Sequence, residues 1–193
     1  MRPQHEVLRA LGSAGIRHLL VGIAGANCWA RDGSLVASHA VHEFAVDPTP
    51  EASRSAWLAL RALGFTLREG TTRIPDPIPA SFADEVANER RSTTAYRMRD
   101  RTLVALHPAI PGFAFDDLWR ERRTFRVGDT EVQVARLRHI LASMHERNID
   151  CDHHAVATWS QGMHDHYVTN PEMTAVLAEH RRRHGIVRGP IED

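Results

Sequence analysis

Residues 41–51 read Val-His-Glu-Phe-Ala-Val-Asp-Pro-Thr-Pro-Glu, a strand that runs directly into the start of a helix. Residues 41–47 combine β-branched and aromatic side chains and stop at Pro48, as a buried strand does. Thr49 is placed to cap the helix, Pro50 suits its first position, and Glu51 meets the positive end of the dipole. Ala56, Trp57, Leu60 and Leu63 then fall on one helical face, and Gly64 ends the helix. Upstream, residues 31–40 read as a loop, and residues 24–30 as a small-residue helix packed closely on a sheet. Before them, His18-Leu19-Leu20-Val21 is a short buried strand stopped by Gly22, and Val7, Leu8 and Leu11 give an earlier helix its apolar face.

Downstream, residues 65–67 predict a third strand. Residues 69–101 carry little regular pattern: Pro75, Pro77 and Pro79 interrupt them, and residues 84–91 form a polar helical patch. Residues 102–107, Thr-Leu-Val-Ala-Leu-His, predict a strand ended by Pro108, and Asp116-Asp117-Leu118-Trp119 begins a short helix. Residues 124–127 and 131–134 flank Gly128-Asp129 as a β-hairpin. Leu137, Ile140, Leu141 and Met144 form a helical stripe, with further helices around 154–160 and after Asn170-Pro171-Glu172. The expected fold is α/β (α+β), a mixed sheet flanked by helices, with residues 1–150 as the domain and 151–193 as a C-terminal helical extension packed on it.

Composition narrows the chemistry. Of 193 residues, 24 are basic and 24 acidic, and every basic residue is arginine. Without lysine there is no P-loop lysine, Schiff-base lysine or lysine nucleophile. Arginine stays protonated, so proton transfer falls to His, Asp, Glu, Tyr or Cys. Zero net charge argues against a nucleic-acid or anionic-membrane partner. No apolar run is long enough to span a bilayer, the N-terminus has no signal-peptide core, and Cys28 and Cys151 give no disulfide framework. We therefore expect a soluble, cytoplasmic protein. Thirteen histidines thicken between His139 and His166, but residues 145–154 fit no zinc spacing. The clusters Arg90-Arg91, Arg120 with Arg122-Arg123, and Arg181-Arg182-Arg183 sit beside acids and read as solvated helix faces.

Taken in order, residues 16–22, 46–51, 58–65, 117–119, the hairpin and the helix at 136–147 resemble the nucleotidyltransferase fold. The resemblance is to the branch of AbiEii-type abortive-infection toxins and small antibiotic nucleotidyltransferases. It implies a glycine pair after the first strand whose backbone approaches nucleotide phosphates. It also implies two carboxylates at i and i+2 of the next strand that hold Mg²⁺, and a third on a later strand. This chain departs from that pattern. The glycine pair is Gly22-Ile23, and the carboxylate pair falls on Val41 and Glu43. Glu43 and Asp47 share a strand face but stand roughly 13 Å apart. The later strand has no carboxylate, leaving Asp100 before it and His107 at its end. Arg147 and Asp150 match a late helix whose lysine position is occupied by Met144.

The resemblance together with strand parity gives Glu43, His39 and Asp47 as candidate catalytic residues, with Glu43 and Asp47 as metal ligands if Mg²⁺-dependent activity persists. It implies Gly22, Ile23, Ser34, Arg147 and Asp150 as candidate nucleotide-binding residues. His39, Val41 and Glu43 share one strand face, so a His/Glu acid–base pair is a further option. Three functions stay open: a degenerate nucleotidyltransferase-fold protein that keeps a pocket for a small-molecule or nucleotide ligand, an active nucleotidyltransferase acting on a small molecule, protein or RNA, and a non-enzymatic toxin–antitoxin-like protein that binds a protein partner or a second copy of itself.

Overall fold

The computed structural model describes residues 3–29, 41–127, 129–140 and 142–143. In chain order these form α1 (Pro3–Ser13), β1 (His18–Val21), α2 (Gly22–Asn27), β2 (Val41–Val46), α3 (Pro50–Ala62), β3 (Thr66–Glu69), β4 (Thr72–Arg73), α4 (Ala80–Asn88), β5 (Thr93–Arg97), β6 (Thr102–His107), α5 (Phe115–Glu121), β7 (Arg123–Val127) and β8 (Thr130–Val134). Residues 137–140 and 142–143 are helical. The eight strands make one mixed sheet in the order β4-β3-β5-β6-β2-β1-β8-β7. β2 runs antiparallel to β1 and parallel to β6, while β8 runs parallel to β1 and closes the hairpin with β7. The mixed sheet with flanking helices is the architecture the sequence predicts; the C-terminal helical extension at 151–193 lies outside the described residues.

The local signals act as expected. Thr49 accepts a hydrogen bond from the Ala52 N–H at 3.2 Å, and Pro50 is the first residue of α3. At the other end, Gly64 at φ +83° closes the helix: its N–H donates to the Arg61 carbonyl and that of Phe65 to the Leu60 carbonyl. α3 buries Ala56, Trp57 and Leu60, and α1 buries Val7, Leu8 and Leu11 against the same core. The Trp57 indole N–H, which could not be left unpaired in that core, donates to Thr93 Oγ1 at 2.9 Å. Truncating Trp57 to alanine would cost about 3–5 kcal/mol, as large core deletions do.

The stretch 69–101 holds what the sequence concealed: β4, α4 starting at Ala80 rather than 84, and β5. β5 alternates buried and half-buried residues, but its last buried position is Arg97, which a polarity pattern reads as exposed. Arg97 is only 2 % exposed and is fully occupied. It donates to Glu6 Oε2 at 2.7 Å, to the Leu63 carbonyl at 3.3 Å and to both Asp100 oxygens at 3.1 and 2.6 Å, and it lies over the Phe65 ring. A guanidinium fork can satisfy four acceptors where an ammonium could not. The hydrogen bond from Arg97, together with those from Thr102, pulls the Asp100 carboxyl down to about 2.

This cluster predicts an acid-labile fold. Asp100 sits at 3.8 when unfolded and about 2 when folded, so its pairing contributes stability above pH 4 that is lost as pH falls from 4 towards 2. Asp100→Asn should flatten the decline of the thermal midpoint across that window; parallel curves for variant and wild type would contradict it. Arg97→Met leaves two acids without their shared cation, and at pH 7 should cost about 3 kcal/mol in urea unfolding.

Candidate functional site

The candidate site forms where β1 ends. Gly22 follows it at φ +62°, a conformation that favours glycine. The β1–β2 register sets Val21 opposite Glu43, and the Glu43 side chain lies so close that a Cβ on residue 22 would come within 2.8 Å of its carboxyl carbon. On the other side of β2, parallel pairing sets Glu43 opposite Ala105 and Ala45 opposite His107. Residues 43, 45, 105 and 107 therefore share one face of the sheet. The His107 Nε2 sits 3.3 Å from Glu43 Oε2, with both side chains mostly buried. That is an ion-pair distance rather than an aligned hydrogen bond, and Nε2 is shut off from solvent.

The other ring nitrogen faces outward. His107 Nδ1 lies 2.8 Å from Ser92 Oγ. The two residues stand opposite each other, one rung beyond the Thr93–Leu106 pair of β5 and β6. A carboxylate only accepts, so the ring proton belongs on Nε2, facing Glu43. Nδ1 is then the acceptor and the Ser92 hydroxyl the donor. Glu43, His107 and Ser92 thus form a continuous chain of contacts that ends at the surface, where Ser92 is exposed.

Ser92 and His107 open into a cleft of about 690 Å³. Ile110, Pro111 and Phe113 of the loop before α5 give it an apolar wall, and Arg90 stands at its edge. Phe113 is held in place by the His139 ring, 4.7 Å away between centroids. Arg90 ends α4 much as Gly64 ends α3: its N–H donates to the Ala87 carbonyl and that of Arg91 to the Val86 carbonyl. But Arg90 does so at φ +52°, a strain of about 1 kcal/mol for a residue with a Cβ.

The structure unites some predicted residues and separates others. Gly22 and Glu43 meet, and Ile23 lies half-buried in the first turn of α2. Asp47 stands at the far end of β2, where Arg17 grips it at 2.6 and 2.7 Å and also binds Asp116 at 3.0 Å. Glu43 and Asp47 therefore do not converge, because the strand separates them. Asp100 belongs to Arg97 instead. Ser34, His39, Met144, Arg147, Asp150 and the histidine-rich stretch 145–154 lie outside the described residues. Cys28 bonds back to the Ala24 carbonyl, and burial pushes its thiol up to about 11, so it is no nucleophile near neutral pH. Ser92 escaped sequence reading because only the β5–β6 register brings it to His107, and Arg90, read there as part of a solvated helix face, instead lines the cleft.

Comparison with solved structures decides the fold. The chain superimposes on the solution structure of the antibiotic-resistance factor ANT(2'')-Ia, an aminoglycoside nucleotidyltransferase, with a TM-score of 0.57, at 12 % identity, over 94 % of this chain and 91 % of that one. The fold is nucleotidyltransferase-like. No protein-family model matches the chain, and no curated protein matches it in sequence. Nucleotidyltransferases typically use Mg²⁺, but the described residues around Glu43 do not fit that ion. Around Glu43, the same sheet face presents Val41, Leu103 and Ala105, and a hard cation wants several oxygen ligands. Among the described residues no group of three or more His, Cys, Asp or Glu is placed to hold a metal.

Gly22 is the residue on which this geometry is most sensitive. Gly22→Ala combines left-handed backbone with a Cβ against the Glu43 carboxyl, and should cost about 2 to 3 kcal/mol in denaturant unfolding. It should also displace the Glu43 side chain, read as a change in the His107 ring resonances; unaltered resonances would separate the glycine from the site.

Proposed function

We propose that this chain is a divergent nucleotidyltransferase-fold protein that has left metal-dependent nucleotidyl transfer. It uses the cleft beside His107 to bind a small-molecule or nucleotide ligand, with Glu43 and His107 as an acid–base pair. The observation that carries this reading is the Glu43–His107 contact at 3.3 Å, on the sheet face where the resemblance would put a set of metal-binding carboxylates. One carboxylate facing an imidazole at this distance suits proton transfer between the two groups; it poorly suits a hard divalent cation, which wants several oxygen ligands. The cleft supplies the space, with an apolar wall and a cation at its edge, as small-molecule sites require.

The reading is tested by titrating the four ribonucleoside triphosphates, with Mg²⁺ and with EDTA, against protein carrying ¹⁵N-labelled histidine, while pyrophosphate release is followed. We expect the His107 resonances to move on ligand addition with or without the metal, the response to weaken in Glu43→Gln and His107→Gln, and no pyrophosphate to appear. Metal-dependent pyrophosphate release abolished by Glu43→Gln would overturn the reading in favour of active nucleotidyl transfer. If neither the triphosphates nor a panel of small anionic and aromatic fragments moves His107, the cleft is not a binding site and the interaction-protein alternative is favoured.

A further inference from the structure

We propose that Ser92, His107 and Glu43 form a nucleophilic relay that hydrolyses small carboxylic esters bearing an anionic group, which Arg90 holds. The proposal rests on the reading above in placing its substrate in the same cleft and in using the same Glu43–His107 pair. Three independent observations support it. The first is the chain of contacts: a hydrogen bond between Ser92 Oγ and His107 Nδ1 at 2.8 Å, and an ion-pair contact of His107 Nε2 with Glu43 Oε2 at 3.3 Å. A nucleophile, a base, and a carboxylate that orients the base and stabilises its cationic form are the parts that activate a serine, and they are recognised by geometry rather than chain order. The two ring nitrogens are exchanged relative to the commoner arrangement. The tautomer forced by the carboxylate still leaves a lone pair facing the hydroxyl.

The second observation is access. Ser92 is exposed, whereas His107 Nε2 is shut off from solvent and Glu43 is half-buried, so the nucleophilic end of the relay is the one open to a substrate. The third is Arg90. Its neighbour Arg91 is tied to Glu69, Glu85 and Glu89, but Arg90 has no ion pair among the described residues and lines the cleft. It occupies the left-handed cap position that glycine fills in α3, where a side chain strains the backbone. A strained cation at a cleft edge is explained by an anion in the cleft.

The chemistry balances with water as the co-reactant. Ser92 Oγ attacks the ester carbonyl carbon as its proton passes to His107 Nδ1. The tetrahedral adduct then breaks its bond to the alcohol oxygen, which takes the proton from His107, and an acyl-serine remains. Water next attacks that carbonyl and gives a proton to His107. Ser92 Oγ leaves and takes the proton back, releasing the acid. No electrons are exchanged with a cofactor.

The test uses the full chain, a fluorophosphonate probe read by intact mass and peptide mapping, and two substrates: p-nitrophenyl acetate and mono-p-nitrophenyl succinate. The probe should modify Ser92 in the folded protein, not in heat-denatured protein. Ser92→Ala, which alters an exposed side chain, should keep the thermal midpoint and lose both labelling and hydrolysis. His107→Gln should slow labelling by about 100-fold or more, the scale of a lost general base, with Glu43→Gln reducing it less. Arg90→Gly should raise the thermal midpoint by relieving the backbone, yet raise KM for the succinate ester alone. Ser92 labelling no faster than in denatured protein, or unchanged in His107→Gln, overturns the relay. If His107 still responds to cleft ligands while Ser92 stays unlabelled, the relay alone fails and the binding reading stands. An Arg90→Gly variant that treats both esters alike refutes the anionic substrate class.

Discussion

β2 lies between an antiparallel neighbour and a parallel one, and the registers of those two pairings bring Gly22, Glu43 and His107 together. With β1, the pairing of Val21 with Glu43 brings the chain reversal at Gly22 over the carboxylate. With β6, the pairing of Ala45 with His107 sets the imidazole beside it. A slip of β6 by one residue would turn His107 to the opposite face and present Leu106 to Glu43. The slip is opposed by burial: Phe44, Val46, Val104 and Leu106 fill the core on their side, and Ala45 and Ala105 are buried on the other. Parallel pairing also demands a long crossover. Here the crossover includes α3, α4 and the outer strands, and its return through β5 delivers Ser92 to His107.

The arginine-only composition takes on a structural meaning in this frame. Arg17 joins Asp47 at the end of β2 to Asp116 of α5 and lies over the Phe115 and Trp119 rings. Arg61 binds Asp76 and the carbonyls of Ile74 and Pro75, fixing the proline-broken stretch to α3. Such partly exposed pairs are each worth about 1 kcal/mol or less, so their effect is to position loops rather than to hold the fold together. The buried Arg97 is different, because its loss would strand two acids against the core. Arg90 differs again, being held at an energetic cost with no ion pair among the described residues.

What could be read from the sequence follows from how local each signal is. β1, β2, α3 and β6 were legible because an apolar run or a 3.6-residue stripe meets its own stop signal: Gly22, Pro48, Gly64, Pro108. The hairpin of β7 and β8 was visible at Gly128-Asp129. β5 was not, because its buried end is an arginine and its polar Thr93 is buried under the Trp57 indole. Of the site, Glu43 and Gly22 were marked by the resemblance, and His107 by its place at the end of a strand that lacks a carboxylate. Nothing local could join Ser92 to His107 across 15 residues. The parity that made Asp47 a candidate was correct as geometry, but the ion pair with Arg17 depends on the start of a different strand.

Gly22 bears on how far the chemistry has moved. The resemblance implies a glycine there because a side chain would block the approach of a nucleotide's phosphates. In this chain the same backbone turn survives, but the space a Cβ would fill is taken by the Glu43 carboxyl itself, 2.8 Å from the Cβ position. The glycine therefore serves an internal contact. A carboxylate packed under that turn, with apolar neighbours at 41, 103 and 105 and an imidazole at 3.3 Å, is poorly disposed to gather oxygens around a divalent ion. Val41, at a position where the resemblance implies a carboxylate, and His107, at the end of the strand where it implies another, are therefore the residues on which the proposed departure from metal-dependent transfer rests.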